Sequence, residues 1–201
     1  FRTVLGHLRH ELGHYFFGEL VIGDEGLAAC RDAFGDERVG YRAALDEHYL
    51  TFHSTWDADR YVSSYASSHP LEDWAETFAA YLQLLDLVDT AVARGLADDP
   101  DHVLTGRASE IDLDAVRRTW RDLAPALDDL GAALGGHSGF PPDLSDGVFT
   151  KIVFLHRLVV RHVDAGSTKR THSTTSADST TSALSTASTG NTTSAGRPSW
   201  T

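Results

Sequence analysis

One stretch limits this chain more than any other: PLEDWAETFAAYLQLLDLVDTAVARGL, residues 70–96. It reads as a single long helix, apolar on more than one face. Such a helix has to be surrounded by other elements rather than laid on a surface. Pro70 suits its first turn, where a missing N–H costs little. Glu72 and Asp73 follow near the positive end of the helix dipole, and Gly95 closes the helix. The stretch predicts a central core helix, and at 201 residues the chain is long enough to enclose it in one compact domain.

Its neighbours read as helical too. Val4, Leu8, Leu12, Tyr15 and Phe16 recur at three- and four-residue spacing, which predicts a helix over 1–22 packed through that apolar stripe. Gly23 and Asp24 break it. A short helix is expected over 25–33 and another over about 37–50, after the turn signal at Gly35-Asp36. DADRYVSSYASSHP predicts a short helix running into a turn, because Pro70 disfavours the helical conformation at His69. Further helices are expected over about 113–134 and 144–162, the last with Val148, Ile152, Leu155, Leu158 and Val159 as its apolar face. No stretch alternates as a strand does, so the fold class is mainly α. From Gly166 the chain turns to Ser and Thr, with too little apolar surface to offset the ordering of its backbone. The expected organisation is a domain over 1–163 and a disordered tail over 164–201, in which the sequon at Asn191 reads as a chance match.

Charge and composition exclude several classes. A net charge of -12 is unsuited to nucleic acid and to an anionic membrane surface. No apolar run approaches the roughly 20 residues of a membrane span. Cys30 is the single cysteine, which rules out an intrachain disulfide and a cysteine-based zinc site. It fits a reducing, cytoplasmic setting, and no base lies at a spacing that would make Cys30 a nucleophile. The chain starts at Phe1 and contains no Met, which reads as a fragment or a processed chain.

Chemistry enters with LRHELGHYFF, residues 8–17. His10 and His14 are four apart, so on a helix they project from one face, one turn apart. Their nitrogens can converge on one ion, and zinc accepts imidazole readily. Glu11 can then reach a water activated by that ion and act as general base. A chain with 11 histidines can produce the pattern by chance, and the plain alternative is a surface helix facing water. A third donor tells against that alternative. Charged residues inside so apolar a helix as 70–96 are costly to bury unless paired or metal-bound, which marks Glu72 and Glu76, four apart on one face. Ala75 and Ala79 beside them are small enough to let another helix approach. Asp73 reads instead as part of a solvated acidic patch. His69 reads as a helix cap, His7 as half-exposed, His156 and His162 as partly buried or surface residues, and Trp56, Trp74 and Trp120 as core.

HELGHY followed by EDWAETFAAYL is similar to the gluzincin metallopeptidases, in which a second helix supplies a glutamate ligand. More narrowly, FRTVLGHLRHELGHYFF, FGDERVGYRAALDEHY, YVSSYASSHPLEDWAETFAAYLQLLD and VFTKIVFLHRLV together resemble a bacterial family of zinc-binding metallopeptidases. The resemblance covers residues 1–160. Members of that family often carry an N-terminal zinc ribbon; it is absent from this sequence, as would be any N-terminal sheet of a zincin-like fold. The related pattern E-x-x-A-E implies that Glu72 is the third zinc ligand and that Glu76 steadies a ligand histidine, as a carboxylate behind a metal-bound imidazole commonly does. Relatives also place a tyrosine seven residues before the ligand glutamate, which implies an oxyanion-stabilising role for Tyr65.

These readings lead to one expectation: a zinc metallopeptidase with one Zn2+ per chain on His10, His14 and Glu72, with Glu11 and Tyr65 catalytic, acting on a peptide or protein substrate. The rival expectation is a non-catalytic, zinc-stabilised helical scaffold or interaction module, for which Glu11 would have no use.

Overall fold

The computed structural model describes residues 3–51, 56–98, 107–136, 141 and 143–178, with side chains described as far as residue 166. Among them there is no strand. The helices are α1 (Val4–Leu20), α2 (Gly23–Phe34), α3 (Tyr41–Thr51), α4 (Pro70–Ala93), α5 (Leu113–Ala133) and α6 (Asp146–Asp178), with single 3-10 turns at Ala66–Ser68 and Ala108–Glu110. The chain divides into two units, 1–163 and 164–201. No helix among the described residues is long and apolar enough to cross a membrane.

The long apolar helix is central, as its sequence demands. Trp74, Phe78, Tyr81, Leu84 and Val88 of α4 are buried against Cys30 and Phe34 of α2, Val116 and Trp120 of α5, and Val148, Ile152 and Leu155 of α6. Burying a side chain of that size contributes about 1.5–3 kcal/mol, so α4 is the element on which the others depend. Its first turn is fixed from both sides. His69 is the N-cap and its Nδ1 accepts the N–H of Leu71, while its Nε2 donates to the carbonyl of Val39, 3.0 Å away. Gly35, at φ 103°, ends α2 with its Cα against the Pro70 ring, where a side chain would be both strained and crowded.

Several expectations are corrected. The apolar stripe of α1 is divided: Val4 is 91 % exposed, Leu8 54 % and Tyr15 61 %, while Leu12 and Phe16 pack half-buried against the core. The buried positions of the helix are Gly6, His10, Gly13 and Leu20. Close packing at Gly13, together with Leu12, Phe16 and Phe17 against the core, seats this helix. Asp73 is not in a solvated patch but fully buried, 2.5 Å from Lys151 Nζ, which also donates to the carbonyl of Arg60. Trp56 is 41 % exposed and outside the core, its indole held by the carbonyl of Tyr61. His156 is buried in a 2.9 Å hydrogen bond with the Tyr81 hydroxyl. Helix α6 runs to Asp178, well past the expected end near 162, and takes Gly166 into its length. The rest of the expected tail, from residue 179, lies outside the described residues, as does Asn191.

The buried pair of α4 and α6 gives a pH dependence. Burial raises the Asp73 carboxyl to about 6 despite Lys151 beside it. The folded state therefore holds this proton more tightly than the unfolded chain. The resulting stability is full below the unfolded value of about 3.9 and is lost as pH rises through about 6. Urea unfolding of wild type and Asp73→Asn between pH 4 and 7 checks this: the wild type loses stability over that window relative to the variant, and parallel profiles would contradict it.

Candidate metal centre

Two helices build the site, and their close approach is what brings it together. Gly13 lies between the two histidines of α1. A Cβ placed there would stand 2.8 Å from Ala75 Cα and 3.0 Å from the Ala75 carbonyl oxygen, so only glycine allows α4 this near. The Trp74 indole N–H donates to the Gly13 carbonyl at 2.8 Å and ties the crossing. His10 stands one turn before Gly13 and His14 directly after it on α1; Glu72 stands one turn before Ala75 and Glu76 directly after it on α4.

The donor atoms converge. His10 Nε2 is 3.1 Å from His14 Nε2, and Glu72 Oε2 is 3.2 Å from the first and 3.5 Å from the second. One ligating atom from each of the three residues lies within 4.8 Å of the others. Behind them, His10 Nδ1 is 2.8 Å from Glu76 Oε1. A carboxylate can only accept, so Nδ1 carries the hydrogen and Nε2 is the nitrogen that faces the cluster. Glu76 is held in turn by the Ser63 hydroxyl, which donates to Oε2 at 2.7 Å.

The chemistry of the set fits a divalent ion. Glu72 Oε2 is buried and makes no hydrogen bond, despite two imidazole nitrogens beside it. An orphaned carboxylate oxygen in the interior is costly unless a cation completes it. The charges agree. Burial lowers the His10 pKa, but Glu72 and Glu76 outweigh it and raise the group to about 9. Burial pushes both carboxyls up, yet His10, His14 and Tyr41 hold Glu72 below the usual range, and His10 and Ser63 do the same for Glu76. The centre thus attracts positive charge, and a metal ion competes there with a proton.

The remaining expected residues fall around this cluster. Glu11 is exposed on the next position of α1, its carboxylate 3.6 Å from His7 Nε2. The Tyr65 ring lies 5.9 Å from the His10 ring. Burial and then the charge of Glu72 raise the Tyr65 phenol, which keeps it a proton donor. His7 is exposed, and His69 acts as the cap of α4 rather than at the centre. Cys30 is buried far up its range, at about 12, chiefly by loss of solvent, and is inert as a thiolate.

Two residues were missed. Tyr41, the first of α3, donates its hydroxyl to Glu72 Oε1 at 2.5 Å, and that bond, with burial, raises the phenol to about 12. Ser63 anchors Glu76 as described. Both sit inside stretches that carried the family resemblance, GYRAAL and YVSSYA. Nothing in spacing distinguishes them, because they reach α4 from loops and a helix end rather than from a shared helix face.

A model of the family described as "Putative zinc-binding metallo-peptidase" matches residues 1–158. Uncharacterized proteins of Mycobacterium bovis and of two Mycobacterium tuberculosis strains are 37% identical over 163 residues, which is 79% of this chain and 47% of each of theirs. The chain therefore spans about half the length of these curated relatives. No solved structure is a significant match.

Proposed function

Because this chain belongs to that zinc-binding metallopeptidase family, we propose that it hydrolyses peptide bonds, with one Zn2+ held by His10, His14 and Glu72. The observation that carries the reading is Glu72 Oε2, a buried carboxylate oxygen left without a hydrogen bond and facing two imidazole nitrogens. Three protein donors with a fourth position open are the usual set of a hydrolytic zinc. Bound there, the ion acidifies a water and polarises the carbonyl to be attacked. Glu11, exposed beside His10, takes the proton of the attacking water and passes it to the leaving amine. The Tyr65 phenol donates to the oxygen on which negative charge develops. Glu76 fixes the ring and tautomer of His10.

A structural zinc in a scaffold is the rival reading. Structural sites close the ion with four protein ligands, whereas among the described residues three donors gather here beside an exposed carboxylate, which supports hydrolysis. The substrate class is a peptide or protein, and a cytoplasmic setting suits the single thiol. The test is zinc content by elemental analysis after dialysis. Wild type is expected to retain about one zinc per chain and Glu72→Ala close to none, since two ligands hold the ion poorly. A well-folded wild type that holds no zinc would remove the enzyme reading altogether.

A further inference from the structure

The two oxygens of Glu72 have different surroundings. Oε1 accepts the Tyr41 hydroxyl at 2.5 Å, while Oε2 has no hydrogen bond and faces His10 and His14. Tyr41 is itself held in place. Its ring meets the edge of the His69 ring at 5.0 Å and 75°, and His69 caps the helix that carries Glu72 while bonding the Val39 carbonyl two residues before Tyr41. The start of α3 and the start of α4 are therefore one hydrogen-bonded unit, and the phenol is aimed at one oxygen of the carboxylate. A carboxylate with both oxygens free can clasp an ion through either one or both, which would consume the open position that hydrolysis requires.

On the metallopeptidase reading, we propose that Tyr41 is a positioning residue for the metal: its hydroxyl occupies Glu72 Oε1, so that the carboxylate meets the ion through Oε2 alone. It touches neither substrate nor ion. Its effect passes through the orientation and donor number of Glu72, as partners behind metal ligands do elsewhere.

Tyr41→Phe keeps the ring against His69 and removes only the donor. The readouts are zinc affinity by competition with a chromophoric chelator and the visible spectrum of the cobalt-substituted protein, which reports coordination number independently of turnover. The variant is expected to bind zinc about 10- to 100-fold more weakly. Its cobalt absorption is expected to weaken as the second carboxylate oxygen joins the ion. Tyr15→Phe, which removes a 61 % exposed phenol whose ring contact is with Phe16, should match wild type in both. A measurement without any variant is the zinc-minus-apo infrared difference of protein carrying 13C-glutamate. A wide splitting of the carboxylate stretches marks one-oxygen binding, and a narrow one overturns the proposal. Wild-type affinity and an unchanged cobalt spectrum in Tyr41→Phe would also overturn it while leaving the metal site intact. Wild type that binds neither ion removes both this assignment and the peptidase reading.

Discussion

Glu11→Gln is expected to keep its zinc and to lose peptide hydrolysis by about 10²- to 10⁴-fold in kcat, the usual worth of a positioned general base. The side chain is exposed, so the near-isosteric amide costs little stability. It is not among the converging donors, which are His10, His14 and Glu72, so the ion has no reason to leave. What the amide cannot do is accept a proton from water or return one to the leaving nitrogen. Zinc content and kcat measured on the same preparation separate these roles. Equal turnover in wild type and Glu11→Gln would move the proton transfer to another group. A zinc-loaded wild type inactive on every peptide tried would favour the scaffold.

The second large effect falls on a residue with no side chain. Gly13→Leu should destabilise the fold by about 3 kcal/mol, the upper range for overpacking a tight contact, and should abolish tight zinc binding. Even the first carbon of the new side chain meets the Ala75 backbone at 2.8 Å, which cannot rotate away as a side chain would. The helices must separate, and with them the donors of α1 and α4. Gly18 on the same helix is the control, because nothing lies within 4 Å of a Cβ placed there. Gly18→Ala should gain roughly 0.5–1 kcal/mol from lower backbone entropy in the unfolded chain. Denaturant unfolding of the two variants should therefore give opposite signs. The same sign in both would mean that the α1–α4 crossing is looser than its packing implies.

These two glycines also show what a sequence can and cannot reveal. The helices were legible because apolar spacing, Pro70 and Gly95 act locally, and local signals survive in any context. The convergence of the candidate donors was legible because His10 and His14 share one helix and Glu72 and Glu76 share another, so a spacing of four carries the geometry. The packed face of α1 was not. Aliphatic residues at helical spacing normally mark the buried side, but here Gly13 allows so close a contact that the histidine face goes inward and Val4, Leu8 and Tyr15 are left outside. Asp73 was misread for a related reason. A carboxylate beside a helix N-terminus is usually solvated, and only the fold brings Lys151 from 78 residues away to pair with it. Tyr41 and Ser63 reach Glu72 and Glu76 across 31 and 13 residues, and no periodicity encodes such contacts.

The indole of Trp74 has an optical consequence. It is fully shielded from solvent, edge-on to Phe17 and Phe34, and its N–H is bonded to the Gly13 carbonyl. Its fluorescence therefore arises from a dry, rigid cage whose wall is the histidine-bearing helix. If α1 lifts from α4, water reaches the ring and its emission moves to longer wavelength. The protein carries its own gauge of whether the two halves of the centre are in register, readable in real time during metal loading, chelation or unfolding.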